Sequence, residues 1–172
     1  MTLQVGPLVL RRVTLQDVDA LTQHWNRRAV RRYLWDGQPV LSSMVDAVVR
    51  GSLDDWEQRG VGLFAVMAQR RLVGSAGLRS MAGATVRAPR RTDEAPELVV
   101  SLDHSFQGRG LGTALAHAVL DDARSRGVVD MVVAVWDPAN VASQRGLATL
   151  GFEAAGTMVV LGAELPVGRW RG

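Results

Sequence analysis

Along the chain, short apolar runs of strand length alternate with stretches in which apolar positions recur every three or four residues, the period of a helix with one buried face. "LVLRRV" (8–13) reads as a strand. Thr14 then caps a helix through Arg28, with Leu15, Val18, Leu21 and Trp25 on one face. "AVRRYLWDGQP" (29–39) is a turn-rich connection closed by Pro39. Ser42 or Ser43 opens a second helix that runs to Arg59 and stops at Gly60. "VGLFAVMA" and "RLVGSAGLRSM" pair as strands turned at Gln69 and Arg70. Residues 82–95, "AGATVRAPRRTDEA", form a polar loop of a length that goes with function or disorder.

The second half follows the same grammar. "PELVVSLD" (96–103) is a strand, and a glycine stretch leads from it into a helix that ends at Arg126 and Gly127. "VVDMVVAVW" (128–136) is a strand and "NVASQRGLATLG" (140–151) a short helix. "FEAAGTMVVL" and "ELPVGRW" close the chain as strands. Strands outnumber helices in a mixed order, which predicts an α+β (mixed α/β) layer with at least one β–loop–helix–β unit. No repeat, low-complexity segment or linker interrupts the 172 residues, so one domain over 1–172 is expected.

Composition narrows the classes. The chain is 47% hydrophobic and 22% charged, the balance of a globular protein, and no apolar run is long enough to span a membrane. The N-terminus lacks the basic-then-apolar order of a signal peptide, so a cytoplasmic location is expected. There is no cysteine, which removes disulfides, thiolate nucleophiles and cysteine metal ligands together. All 20 basic residues are Arg, against 17 acidic ones, so the pI of 10.8 goes with a net charge of only +3. Exclusive use of Arg reads as coding bias rather than recognition, and no nucleic-acid partner is expected. The three histidines, His24, His104 and His117, show no metal-ligand spacing, and no metal is expected.

The chemistry concentrates in "SFQGRGLGTALAHAVLDDARSRG" (105–127), where Gly108, Gly110 and Gly112 alternate just before the helix. The first N–H groups of a helix have no internal partner, and the dipole adds about half a positive charge there. Glycines let such a backbone approach a phosphate closely. A pyrophosphate is the expected ligand; a tight turn that binds nothing is the alternative. A dinucleotide fold is a second one, with Asp137 as its ribose acid, but Thr113 stands where its third glycine belongs. An ATP-binding P-loop is excluded, because it needs a lysine. The helix stripe is expected at Leu111, Ala114, Leu115, Ala118 and Val119.

"QGRGLG" resembles the Q/R-x-x-G-x-G/A pyrophosphate signature of the GNAT acetyltransferases, with Gln107, Gly110 and Gly112 at its fixed positions. "PELVVSLD" resembles the glutamate-bearing strand of the Rim-type branch (ribosomal-protein N-acetyltransferase-like). "NVASQRGLATLGF" resembles that branch's N-x-x-S…L-G-F helix, at Asn140, Ser143, Gly151 and Phe152. "RRYLWDG" resembles a segment common there, and the order of elements fits from residue 8 to 171. The resemblance implies a central, mostly antiparallel twisted sheet of about seven strands, splayed in the middle and flanked by about four helices. It also implies acetyl transfer from acetyl-CoA to an amine. Gln107, Gly108, Arg109, Gly110, Leu111, Gly112 and Thr113 would hold the CoA pyrophosphate. The pantetheine arm would lie in the splay, bonded like an extra strand to the backbone of Val100, Ser101 and Leu102. A backbone N–H there would stabilise the oxyanion.

The same resemblance suggests the proton carriers. Glu97 stands where the Rim-type branch has its glutamate and would accept the amine proton, directly or through water. A strand-end salt bridge is the competing role. Many relatives carry a Tyr four residues before the G-F pair, where this chain has Leu147. Ser143 is the replacement, donating a hydrogen bond to the sulfur, with Asn140 on the same helix face; Asn140 also reads as an N-cap. His104 is an alternate base. On the acceptor side, Trp35 and Asp36 would hold a cationic amine, or else pack and cap the turn at Gly37. Arg87, Arg90 and Arg91 would meet an acidic acceptor or the CoA 3′-phosphate, or simply be solvated. The acceptor is expected to be a protein or peptide N-terminal α-amine, with a small-molecule amine as the other option. A catalytically inactive acyl-CoA-binding module is the competing function, supported by Leu147. Homodimerisation comes from the resemblance alone.

Overall fold

The computed structural model of the chain describes residues 1–34, 37–80, 95–160 and 162–172. Among the described residues eight strands form one sheet: β1 (Thr2–Val5), β2 (Leu8–Arg12), β3 (Leu63–Ala68), β4 (Arg71–Arg79), β5 (Glu97–Leu102), β6 (Met131–Val135), β7 (Glu153–Val160) and β8 (Ala163–Arg171). Their order across the sheet is β1-β2-β3-β4-β5-β6-β8-β7. Every neighbouring pair is antiparallel except β5–β6. That parallel pair is the β–loop–helix–β unit, because parallel strands need a crossover. The eighth strand is β1, which the apolar pattern does not reveal. Its residues are at most half-buried, so burial imposes no alternation on them.

The helices are α1 (Val18–Trp25), α2 (Arg28–Arg31), α3 (Ser42–Gln58), α4 (Leu111–Ser125) and α5 (Val141–Thr149). The helix expected from Thr14 to Arg28 is broken at both ends. Residues 15–17 form a 3-10 turn, with the Thr14 N–H donating to Asp17 Oδ2 at 2.8 Å, and Leu15 is exposed rather than on the buried face. At the other end Asn26 pairs with Val40 through its amide, donating to the carbonyl and accepting from the N–H, each at 2.9 Å. Those bonds hold Asn26 at the end of α1, and α2 starts afresh at Arg28 and runs into the expected connection. α3 matches its expected limits, with Gly60 at φ +70° just beyond. In α4 the buried stripe is Leu115, Ala116, Val119, Leu120 and Ala123, so Ala114 faces solvent and the face is rotated from the expected one.

Two apolar layers sandwich the sheet. On one face Leu115, Val119 and Leu120 of α4 pack with Leu10, Phe64, Leu98 and Leu102 of the strands. On the other, Leu21 and Trp25 of α1 and Val45 and Val49 of α3 pack with Leu63, Ala65 and Leu72. A third cluster, Val133, Met158 and Val167, covers β6, β7 and β8. No described helix is long and apolar enough to cross a membrane.

Candidate functional site

The sheet opens between β5 and β6. They share one register pair, Glu97 with Val133, and the Val133 N–H donates to the Pro96 carbonyl at 3.0 Å. Beyond that point β5 keeps β4 on one edge, while its other edge is unpaired among the described residues. Strand alternation decides what the free edge presents. The Asp103 N–H donates to Val73 of the β4 side at 2.8 Å, so residues of that parity point their backbone groups at β4. Val100 and Leu102, of the other parity, point theirs into the cleft. Val99 and Val100 are only partly buried, although they sit mid-sheet.

The glycine loop lies at the open end. Gly108 and Gly110 adopt φ +71° and +72°, a conformation that disfavours any side chain. Gly110 is the N-cap of α4, and the first helical bond runs from the Ala114 N–H to its carbonyl at 3.0 Å. The amides of Leu111, Gly112 and Thr113 are therefore left without intrahelical partners. A Cβ added at Gly108, Gly110 or Gly112 would meet nothing within 4 Å, so open space lies against the loop. Free amides, open space and the positive end of a 15-residue helix fit a pyrophosphate. Arg109 is exposed beside them. Gln107 plays a part that its sequence position does not reveal: its Nε2 donates to the Leu102 carbonyl at 2.8 Å, tying the loop back to β5.

α5 closes the side of the loop. A Cβ on Gly146 would lie 2.8 Å from Thr113 Oγ1, so the missing side chain is what lets α5 approach the start of α4. Asn140 is the N-cap of α5, its Oδ1 accepting from the Ser143 N–H at 3.1 Å. Ser143 is half-buried, and its hydroxyl forms no hydrogen bond among the described residues. Leu147 is buried in the α4 core. Asp137 accepts from the Ala139 N–H at 2.7 Å, a turn-forming contact ahead of α5.

Glu97 marks the closed end of the cleft. It is buried, and its Oε2 accepts from Arg79 Nε at 2.7 Å. The two are direct cross-strand partners. Oε1 has no partner among the described residues. The strand-end salt bridge expected as one role of Glu97 is present, through Oε2 alone.

Ser101 departs from expectation. Its backbone points toward β4, and its hydroxyl belongs to a buried chain of hydrogen bonds joining α1 to β4 and β5. Trp25 Nε1 donates to Ser75 Oγ at 3.1 Å, and Ser75 Oγ lies 2.9 Å from Ser101 Oγ. Ser101 Oγ lies 2.9 Å from His24 Nε2, and His24 Nδ1 lies 2.8 Å from Asp103 Oδ1. Arg27 and Arg71 both donate to Asp103 Oδ2. Every atom is satisfied when protons are donated in one direction, from Trp25 to Asp103, which requires a neutral His24. Burial pushes the His24 imidazole below its ordinary value, against the upward pull of Asp103. No local pattern announces this network, because His24 lies 77 residues from Ser101 and 79 from Asp103.

His104 and His117 are exposed. Trp35, Asp36, Arg87, Arg90 and Arg91 lie outside the described residues. Among the described residues no three His, Cys, Asp or Glu side chains gather as a metal site.

The geometry has counterparts among known proteins. The family model described as acetyltransferase (GNAT) domain matches residues 7–153. A search of curated proteins returns no match. Among solved structures, a GNAT-family acetyltransferase from Bordetella pertussis superposes with TM-score 0.81 at 20% identity, covering 99% of each chain. RimL, a ribosomal L7/L12 α-N-protein acetyltransferase in complex with coenzyme A, gives 0.77 at 21%, over 99% of this chain and 98% of its own. AAC(6')-Ib with paromomycin and acetyl-CoA gives 0.75 at 21%, over 95% and 93%. At such identities these likenesses establish the fold, whereas the family model spans most of the sequence: the chain belongs to the GNAT family of acetyl-CoA-dependent acetyltransferases.

Proposed function

We propose that the chain acetylates a primary amine at a protein or peptide N-terminus by direct attack, with Glu97 as proton acceptor and Ser143 as hydrogen-bond donor to the leaving sulfur. The observation that carries this reading is the cleft between β5 and β6, with the open glycine loop at one end and a buried carboxylate at the other. Acetyl-CoA supplies the acetyl group as a thioester. The amides of Leu111, Gly112 and Thr113, with the Gly108–Gly110 backbone, hold its pyrophosphate. The cleft-facing backbone of Val100 and Leu102 orients its arm. Asn140 fixes the first turn of α5 and so the position of Ser143.

As the new C–N bond forms and the C–S bond breaks, the amine loses a proton. Glu97 Oε1 takes it, while Arg79 keeps the carboxylate in place through Oε2. Arithmetic favours an α-amine. With a pKa near 8, about a tenth of it is neutral at pH 7, against about four in ten thousand for an alkyl amine near 10.4. A carboxylate with one oxygen already paired suits the easier task. RimL, an α-N-protein acetyltransferase of the same fold, supports the same choice.

The test compares initial rates on peptides with a free N-terminus, on the same peptides blocked there but bearing a lysine, and on small amines. The expected result is turnover of the free N-terminus above the other two. Background rates on every peptide alongside turnover of a small amine overturn the reading.

A further inference from the structure

Arg169, on β8, carries a guanidinium that forms no hydrogen bond or ion pair among the described residues. Its Nε is buried and has no acceptor. A buried donor without a partner costs free energy and asks for an explanation. The register of the sheet supplies one. Cα partners run across it from Arg79 to Glu97, from Glu97 to Val133, from Val133 to Arg169 and from Arg169 to Glu153. Residues opposite one another on paired strands project from the same face. Arg169 therefore shares the face of Glu97, on the far side of the cleft.

Strands about 4.8 Å apart place the two backbones about 10 Å from each other, across two steps. The neighbours of Arg169 on this face are apolar, with Val133, Met158 and Val167 buried. Glu153, the cross-strand neighbour on β7, is exposed and forms no ion pair with it. Arg171, two residues further along β8 and on the same face, is exposed too. The guanidinium of Arg169 thus keeps unspent donors, whereas across the cleft the Glu97 carboxylate is already paired with Arg79 through Oε2. A polycationic acceptor would bring its charge against Arg169.

We propose that Arg169 binds a carboxylate carried by the acceptor, and that the preferred acceptor is a peptide N-terminus with an acidic side chain at its second or third residue. The inference rests on the reading above, in which Glu97 receives the proton of the attacking amine. An extended peptide advances about 3.3 Å per residue, so two or three residues span the gap between the two side chains. A free amino acid, with both groups on one carbon, is too short. Arg suits the role because its planar fork grips a carboxylate through two parallel bonds.

Initial rates on C-terminally amidated peptides with Glu or Gln at the second or third position provide the test, beside a neutral tripeptide with a free C-terminal carboxylate. Calorimetry on the CoA-loaded protein measures affinity for the acetylated Glu and Gln peptides independently of turnover. The wild type is expected to favour Glu by about ten- to a hundredfold in kcat/KM, the worth of a charge-assisted bond. Arg169→Gln is expected to bring that ratio close to one, and Arg169→Lys to restore part of it. Equal stabilisation of wild type and R169Q by acetyl-CoA shows that the variant is folded. A Glu-to-Gln ratio that survives R169Q overturns the inference, as does a preference for the free C-terminal carboxylate over the acidic side chain. If no peptide is acetylated, the peptide-acceptor reading falls, and the calorimetric ratio alone decides the role of Arg169.

Discussion

Glu97 is the proposed proton acceptor, and it also pairs with Arg79. Its Oε2 is fixed by Arg79 at 2.7 Å, while Oε1 has no partner among the described residues. Replacing it with Gln preserves shape and removes the basic oxygen. Glu97→Gln is expected to lower kcat on an N-terminal peptide by about a hundredfold or more, the range of a positioned base. The stabilisation by acetyl-CoA should persist, because the glycine loop lies at the other end of β5. An unchanged pH–rate profile in E97Q would remove Glu97 as the base. The acidic position was legible from the sequence, where a glutamate opens the strand before the glycine loop. Arg79 was not: it lies 18 residues away and meets Glu97 only because β4 and β5 pair in that register.

At the level of elements, the end of β5 leads into the glycine loop proposed to hold the cofactor. β4 supports it at very close range: a Cβ on Gly74 would lie 2.3 Å from the Ser101 carbonyl oxygen. That atom is backbone, so it cannot swing aside. Gly74→Ala is expected to destabilise the fold by about 1–3 kcal/mol, as overpacking does. It should also shrink the rise in melting temperature that acetyl-CoA produces, because the displaced strand end leads into the loop. A stability loss with an undiminished acetyl-CoA shift would show that the loop does not depend on this contact. The end of α3 was readable from Gly60, since the φ of glycine is local; Ser42 marks the start as its first residue, while Leu41 is the N-cap and no side chain caps the helix. The break of the first helix was not, because Asn26 stops it by bonding Val40, 14 residues on.

For the molecule as a whole, the network from Trp25 to Asp103 joins the α1 layer to the centre of the sheet, and its proton count ties stability to pH. The His24 pKa is lower folded than unfolded. Below about 6.5 the unfolded chain therefore binds more protons, and stability falls as pH drops from there toward the folded value. Above that window the contribution is complete. Melting temperatures measured from pH 7.5 down to 5 should fall more steeply for the wild type than for His24→Gln, with a His24 contribution of at most about 1.4 kcal/mol per pH unit. The Gln variant should be less stable at pH 7.5, since a buried bond to Asp103 is lost or weakened. Parallel slopes for the two proteins would show that His24 does not titrate in that window.

What the sequence determined by itself is what depends on neighbours a few residues apart: the strand runs, the ends of α3, the alternating glycines before α4 and the Asn140 cap. From these the mixed sheet and the glycine loop at the start of α4 followed, and the resemblance built on them pointed to the family that the match over residues 7–153 establishes. Tertiary structure decided everything that needs distant segments brought together. It opened β5 from β6, turned Val100 and Leu102 into the cleft and Ser101 away from it, paired Arg79 with Glu97, and aligned Arg169 on the same face. The physical reason is that register and burial are properties of strand pairs and layers. A single strand such as "ELPVGRW" carries the alternation that puts Arg169 on a face, but only its pairing with β6 says what else that face holds.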